Sequence, residues 1–245
     1  MADERATSFG AEGHRYESGR PDYPREAVGW MLEPGAPVRS VADVGAGTGK
    51  LTRAVAEVTD VELVAVDPDA GMLERLTATS PGVRTLQGTA ERLPLPDASV
   101  DAVVLGQAWH WVDPAAALSE IGRVVRPGGV LGLIWNVCDE RVDWVRGLTA
   151  IMHGSPAEEM VAGDGPVVTA PFGIPEERRW EWRRPMTRAQ LHDMAGSRSY
   201  VITAPQDEKE RIAREMDRLF DELGLGEGTI DMPYVTAAYR AVRVG

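Results

Sequence analysis

Val41-Ala42-Asp43-Val44-Gly45-Ala46-Gly47-Thr48-Gly49 is the stretch on which the fold turns. An apolar run leads straight into three glycines at alternate positions, and Lys50 to Val58 carries a helical pattern behind them. Glycine is needed where a backbone turns sharply or a ligand lies against the main chain, because a Cβ would block both. The stretch therefore predicts strand, tight turn and helix, with or without a ligand on the turn. The next acid narrows the choice. Asp67 closes the following strand, which runs from Glu62 to Val66, and lies 20 residues after Gly47, where a carboxylate can accept both hydroxyls of a ribose. Asp69, just after Pro68, is the better-placed cap for the helix from Asp69 to Thr77, which leaves Asp67 for the ribose.

Outward from this turn the period of the sequence keeps alternating. Gly82 to Gln87 reads as a third strand, and Asp101 to Leu105 contains the continuous apolar run of a strand covered on both faces. A helix from Pro114 to Val125 stops before Pro127-Gly128-Gly129, and Val130 to Trp135 is a fifth strand. Strands alternating with helices predict an α/β fold with a doubly wound, Rossmann-like parallel sheet. After Trp135 the rhythm breaks: glycines and prolines scattered from Gly154 to Pro175 predict an inserted loop or lid. Trp180 and Trp182 alternate with charged neighbours, as in a half-exposed strand, Asp207 to Leu223 is an amphipathic helix, and Thr229 to Val242 is a closing strand. One domain is expected, with an N-terminal cover over 1–35, a cofactor-binding core over 36–136, a substrate lid with late elements over 137–228 and the closing strand over 229–245.

Composition limits the partners. The 245 residues carry a formal net charge of −12, which repels a phosphate backbone, so nucleic acid and membrane surfaces are both poor partners. Arg178, Arg179, Arg183 and Arg184 form a basic stripe, but Glu176, Glu177 and Glu181 break it, and it reads as a solvated strand face. No run approaches the roughly 18–20 apolar residues of a membrane helix, and Met1 to Arg5 lack the apolar segment of a secretory signal. A single cysteine, Cys138, excludes an intrachain disulfide and fits a cytoplasmic protein. The histidines His14, His110, His153 and His192 show no metal-ligand spacing, so no metal is expected.

Two nucleotide readings compete at the glycine turn. A dinucleotide site has the pattern G-x-G-x-x-G, whereas here the pattern is G-x-G-x-G and Lys50 stands where the third glycine would be. A nicotinamide-dependent reductase is the weaker reading. The stretch, with Asp43 two residues before Gly45, instead resembles the first motif of class I S-adenosylmethionine-dependent methyltransferases. Val64-Ala65-Val66-Asp67-Pro68-Asp69-Ala70-Gly71-Met72-Leu73 resembles that family's second motif. Gly88 to Asp101 is similar to its adenine-flanking segment, and Glu120 to Gly129 to the helix and turn before its fifth strand. The resemblance spans about Ser40 to Asn136 in the family's order and spacing.

That resemblance implies a seven-stranded sheet, mostly parallel with an antiparallel C-terminal strand, plus a small helical or loop lid. It further implies S-adenosylmethionine as cofactor, S-adenosylhomocysteine as product and a small-molecule methyl acceptor. Gly45, Ala46, Gly47 and Gly49 would line the methionine and ribose, Asp67 would hold the ribose, and Pro68 and Met72 would flank adenine. Ala90 and Glu91 would lie at the adenine edge, where Thr89 replaces an aspartate carried by many relatives. At the mouth of the fourth strand, Gly106-Gln107-Ala108-Trp109-His110-Trp111 resembles a branch that includes trans-aconitate methyltransferase-like enzymes. There Gln107, Trp109 and Trp111 would border the sulfonium. His110 would face the acceptor as a general base or as a hydrogen-bonding wall. Tyr16, Arg20 and Tyr23 would fold over the cofactor, with Arg20 alternatively pairing with a carboxylate of cofactor or substrate. A non-catalytic binding protein of the same fold is the alternative from another class; the acceptor and the oligomeric state are not legible.

Overall fold

The computed structural model describes residues 19–33 and 37–244. Its first helix, α1 (Arg25–Met31), precedes strand β1 (Ser40–Val44), helix α2 (Lys50–Val58), β2 (Glu62–Asp67), α3 (Ala70–Thr79), β3 (Arg84–Gln87) and β4 (Val100–Gly106). A single 3-10 turn over Trp109–Trp111 leads into α4 (Pro114–Val124) and the long β5 (Val125–Cys138). Then come α5 (Asp143–Met152), α6 (Pro156–Ala162), β6 (Glu176–Thr187), α7 (Arg188–Gly196), α8 (Ser199–Thr203), α9 (Gln206–Glu222) and β7 (Thr229–Val242).

The strands form one seven-stranded sheet in the order β3-β2-β1-β4-β5-β7-β6. β1 pairs in parallel with β2 and β4, and β4 with β5, whereas β7 runs antiparallel to both β5 and β6. This is the predicted doubly wound, mostly parallel sheet with an antiparallel C-terminal strand. The central strands are apolar without alternation because helices cover both faces: Val103, Val104 and Leu105 of β4 are fully or almost fully buried. The order reverses at β1, with β2 on one side and β4 on the other, and the carboxyl ends of strands beside such a reversal leave a crevice.

Two regions differ from the sequence reading. The span from Gly154 to Pro175, read as an inserted loop or lid, contains helix α6, and α5 precedes it. Ser155 caps α6 reciprocally with Glu158: the Ser155 N–H and hydroxyl donate to the Glu158 carboxylate, and the Glu158 N–H donates back to Ser155 Oγ. The Pro127-Gly128-Gly129 stop signal does not end at a free turn but lies inside β5. Its extra residues are taken up by a register shift between the pairs Val100↔Val125 and Ala102↔Val130, with Gly128 at φ 79°.

A second core lies beyond the carboxyl ends of β5 and β6. Val145 and Leu148 of α5, Leu191 and Met194 of α7, and Ile212, Met216 and Phe220 of α9 pack there against Met232 and Tyr234 of β7. This layer of helices overhangs the crevice. No helix among the described residues is long and apolar enough to cross a membrane.

Beneath the glycine turn, Asp43 of β1 is fully buried. Thr52 of α2 donates its hydroxyl to Asp43 Oδ2 at 2.6 Å, while Asp43 Oδ1 is buried without a hydrogen-bond partner. Burial pushes this carboxyl up to about 7, against the opposing hydrogen bond from Thr52. A carboxyl raised on folding favours the native state below its unfolded pKa, and that contribution is lost as pH rises through the folded value. Urea unfolding should show Asp43→Asn gaining on the wild type between pH 5 and pH 8, by at most about 1.4 kcal/mol per pH unit. Parallel stability curves for the two proteins would show that Asp43 is ionised throughout.

Candidate active site

The crevice is a cavity of about 560 Å³ that runs from the glycine turn to the overhanging helices. Gly45 and Gly47 form its floor at the end of β1, both in the left-handed region with φ 69° and 55°. A Cβ on Gly45 would lie 2.7 Å from the Ala108 Cβ, whereas a Cβ on Gly47 would meet no protein atom within 4 Å. It would enter the cavity. Gly47 thus leaves bare backbone facing a ligand-sized space, as a nucleotide-type cofactor requires.

Asp67 stands across from this turn and is almost fully buried. Its Oδ2 accepts the Gly47 N–H at 2.8 Å and its Oδ1 the Asp69 N–H at 2.9 Å. Each carboxylate oxygen has a second lone pair, so two acceptor positions are left. Asp69 caps α3 through the N–H groups of Gly71 and Met72, as its spacing predicts. Asp67 is nevertheless not reserved for a ligand, because it also holds two turns together. Burial raises its carboxyl pKa, with the backbone bonds from Asp69 and Gly47 opposing.

Pro68, Met72, Thr89, Ala90 and Glu91 line the same end of the cavity. Glu91 also accepts the Asp113 N–H at 3.0 Å, anchoring the start of α4. Two residues of the glycine turn fall elsewhere. Ala46 is buried with Ala65 and Leu76, away from the cavity wall. Gly49 is the N-cap of α2 at φ 87°, and a Cβ there would lie 2.8 Å from the Leu76 side chain. Gly49 serves the close approach of α2 to α3 and is not among the residues that line the cavity.

The mouth of β4 also divides. Gln107 adopts φ 56°, a left-handed conformation costly for a side chain with a Cβ. Its Nε2 donates to the Asn136 carbonyl at 2.6 Å, and Gln107, His110 and Trp111 line the cavity. Trp109 does not. It is 1% exposed inside the main core, because the 3-10 turn points it under the sheet while its neighbours point outward.

His110 has one ring nitrogen engaged: the Trp135 indole N–H donates to His110 Nδ1 at 3.3 Å. A neutral imidazole accepting at Nδ1 carries its proton on Nε2. Burial, and then the positive charge of Arg20, push the imidazole down to about 4. His110 is therefore a neutral N–H donor near pH 7. With Nδ1 taken up by the Trp135 N–H, the ring has the geometry of a hydrogen-bonding wall.

On the N-terminal side, Arg20 and Pro21 line the cavity. Tyr23 does not reach it: its hydroxyl lies behind Gly106, 2.6 Å from where a Cβ would stand. Tyr16 lies outside the described residues.

The far wall contains residues that the sequence reading did not select. Arg198, which follows α7, and Glu158 of α6 form a two-pronged ion pair, Nη2 to Oε1 at 2.6 Å and Nη1 to Oε2 at 3.0 Å, largely removed from water. Arg198 also donates to the His153 carbonyl and to Cys138 Sγ. Burial raises the Glu158 carboxyl, and the charge and hydrogen bonds of Arg198 more than offset this, so it titrates below its ordinary value. Asn136 donates Nδ2 to the Asp22 carbonyl at 3.2 Å and accepts the Thr236 hydroxyl at 2.6 Å. The Ser155-Pro156-Ala157-Glu158 capping signature was readable in the sequence. Nothing local marks Arg198 as its partner 40 residues on.

Comparison with known proteins agrees with this geometry. Residues 42–133 match the family model of a methyltransferase domain. An uncharacterized methyltransferase of Mycobacterium tuberculosis is 44% identical over 239 residues, covering 96% of this chain and 95% of that protein. A second one, from Schizosaccharomyces pombe, is 32% identical over 242 residues and covers 94% of each. The chain belongs to the class I S-adenosylmethionine-dependent methyltransferases. Among solved structures, a protein from Anaeromyxobacter dehalogenans described as a type II methyltransferase shares the fold. It superposes with a TM-score of 0.69 at 24% identity, over 92% of this chain and 98% of that one. In this methyltransferase the bare Gly47 backbone and the remaining Asp67 acceptor positions fit a ribose-bearing cofactor, and Pro68 and Met72 line the same end of the cavity.

Asp67→Ala should weaken S-adenosylmethionine binding by about 1.5–3 kcal/mol in calorimetry. It should also lower folding stability by about 1–2 kcal/mol, because the Gly47 and Asp69 N–H groups lose their acceptor. Gly47→Val should abolish cofactor binding, because its branched side chain fills the cavity. Unchanged affinity in either variant would place the cofactor elsewhere.

Proposed function

We propose that this methyltransferase modifies a small molecule held between the β4 mouth and the overhanging helices, and that it does so by alignment without a protein base. The observation that carries the reading is His110, which lines the cavity and accepts the Trp135 indole N–H at Nδ1, so that its own proton is on Nε2. The cofactor supplies a methyl group on a sulfonium, a leaving group good enough that an aligned acceptor needs little further activation. What this chain adds is position. Gln107, fixed by the Asn136 carbonyl, borders the transfer region, and His110 donates a hydrogen bond to an acceptor oxygen or nitrogen. Trp111 offers a ring face to positive charge.

The size and enclosure of the far wall support a small acceptor. Ser155, Met194, Arg198, Tyr200 and Tyr234 close that end under α6, α7 and α8, and a cavity of about 560 Å³ lies in the range of small-ligand sites. Arg198 is committed to Glu158, so it serves as a wall and not as an open anion anchor. With a net charge of −12, a nucleic-acid acceptor is disfavoured. A reducing cytoplasmic setting is consistent with the buried free thiol of Cys138.

Transfer of labelled methyl from S-adenosylmethionine into a fractionated metabolite extract should label small molecules. Label found only in protein or nucleic acid would overturn the acceptor class. Once an acceptor is identified, single-turnover rates should be nearly independent of pH between 5 and 8 as far as His110 is concerned. His110→Gln, which keeps an N–H donor, should stay within about tenfold of the wild type, a loss of order 1 kcal/mol. A glutamine variant slowed by a hundredfold or more, with a wild-type rate that rises through an imidazole-like pKa, would restore the role of base.

A further inference from the structure

β6 is an edge strand: no strand among the described residues pairs with its outer side. Its main-chain direction follows from the neighbouring strands. Asp139 donates its N–H to the Pro233 carbonyl at 3.0 Å, so Pro233 and the other odd-numbered residues of β7 turn their main chain toward β5. The even-numbered residues of β7 then face β6, and the register Trp182↔Tyr234, Trp180↔Thr236 makes the even-numbered residues of β6 their partners. Glu177, Arg179, Glu181 and Arg183 therefore direct N–H and C=O outward, with no ladder partner from the sheet. Pro185 shares that outward phase, where a missing N–H costs the sheet no bond.

The side chains along this edge read Glu176-Glu177-Arg178-Arg179-Trp180-Glu181-Trp182-Arg183-Arg184, between Pro175 and Pro185. Charges commonly protect an edge from pairing, and a protective edge needs only charge. This edge has an order as well. Folded antiparallel about Trp180, it sets Glu176 against Arg184, Glu177 against Arg183, Arg179 against Glu181 and Arg178 against the Trp182 ring. Pro175 then meets Pro185 and ends the ladder on both sides. A register centred on Arg179 instead sets Arg179 against itself and Glu177 against Glu181. One centred on Glu181 sets Glu181 against itself and Arg179 against Arg183. Of these three registers only the Trp180-centred one brings opposite charges together, and it does so at three pairs, whereas centring on Trp182 pairs only Glu181 with Arg183; like charges directly opposite are destabilising.

We propose that a second copy of this chain pairs with β6 along this edge, about a two-fold axis through Trp180, joining two seven-stranded sheets edge to edge. The pairing uses the outward N–H and C=O groups of Glu177, Arg179, Glu181 and Arg183 as reciprocal hydrogen bonds. Trp180 is already braced for a central contact, packed edge-on against Trp30 at 5.7 Å. Glu177 holds Arg179 at 2.5 Å and Glu181 holds Arg141 at 2.7 Å within one chain. In the dimer each of these carboxylates gains a second guanidinium from the partner. None of the residues 176–185 lines the active-site cavity, so the proposal stands apart from the acceptor reading.

Sedimentation velocity on the wild-type chain at micromolar concentration should show a reversible dimer that weakens at high salt. Glu177→Arg and Arg183→Glu should each raise the dimer dissociation constant by about tenfold or more, and the double swap should restore it, because it exchanges the two charges without changing their pairing. Arg179→Pro removes an outward N–H and should give a monomer. Its circular dichroism and its thermal shift with S-adenosylhomocysteine should match the wild type. A wild type that stays monomeric, a dimer that survives Arg179→Pro, or a double swap no better than its singles would overturn the proposal.

Discussion

Asp67 binds the turn after β1 to the turn after β2 through one carboxylate oxygen each, and the cofactor end of the cavity depends on that tie. Parallel strands that stop side by side leave main-chain N–H groups pointing into the crevice, and each needs an acceptor when water is excluded. A buried carboxylate supplies two acceptors at once and keeps further lone pairs for a ligand. The same side chain therefore fixes the floor of the site and keeps acceptor positions for a ligand. Gly47 completes the arrangement, because its missing Cβ leaves the space that a side chain would occupy.

The acceptor end is built on a different principle. Its wall comes from α6 and from the residues around α7 and α8, which are held together by Arg198 and Glu158. Burying such a pair is costly unless its donors and acceptors are met, and here they are: Ser155 satisfies Glu158, and the His153 carbonyl satisfies Arg198. The pair closes the far wall while contributing little net charge to the space in front of it. Burial and the charge of Arg20 hold the His110 imidazole low, and the Trp135 indole N–H meets its Nδ1, so in the proposed reading the site works by hydrogen-bond donors and ring faces.

Opposite the parallel edge of the sheet, β6 shows charge used as an address. A strand of alternating exposed residues is tolerated at a sheet edge when charges discourage pairing, yet the order of these charges favours one register over its neighbours. The stripe that reads as a solvated face in composition thus carries information once its outward main chain is known.

The order of glycines, acids and apolar runs from Ser40 to Asn136 determined the doubly wound sheet and its nucleotide-type turn, because strand period, turn chemistry and helix capping are local properties. Gly45, Gly47 and Asp67 were legible from that turn and its spacing, and Pro68 and Met72 from the family resemblance; all five line the cavity. Sequence spacing gave no means of telling which of two adjacent residues faces the cavity. Trp109 and Trp111 differ only in the direction a single 3-10 turn gives them, and Ala46 and Gly49 face the packing of α2 and α3. Likewise, the tautomer of His110 was decided by Trp135, a residue 25 positions away on a neighbouring strand. The Arg198–Glu158 wall and the outward phase of β6 are also set by contacts distant in sequence, and those exist only once the sheet and its helices have packed.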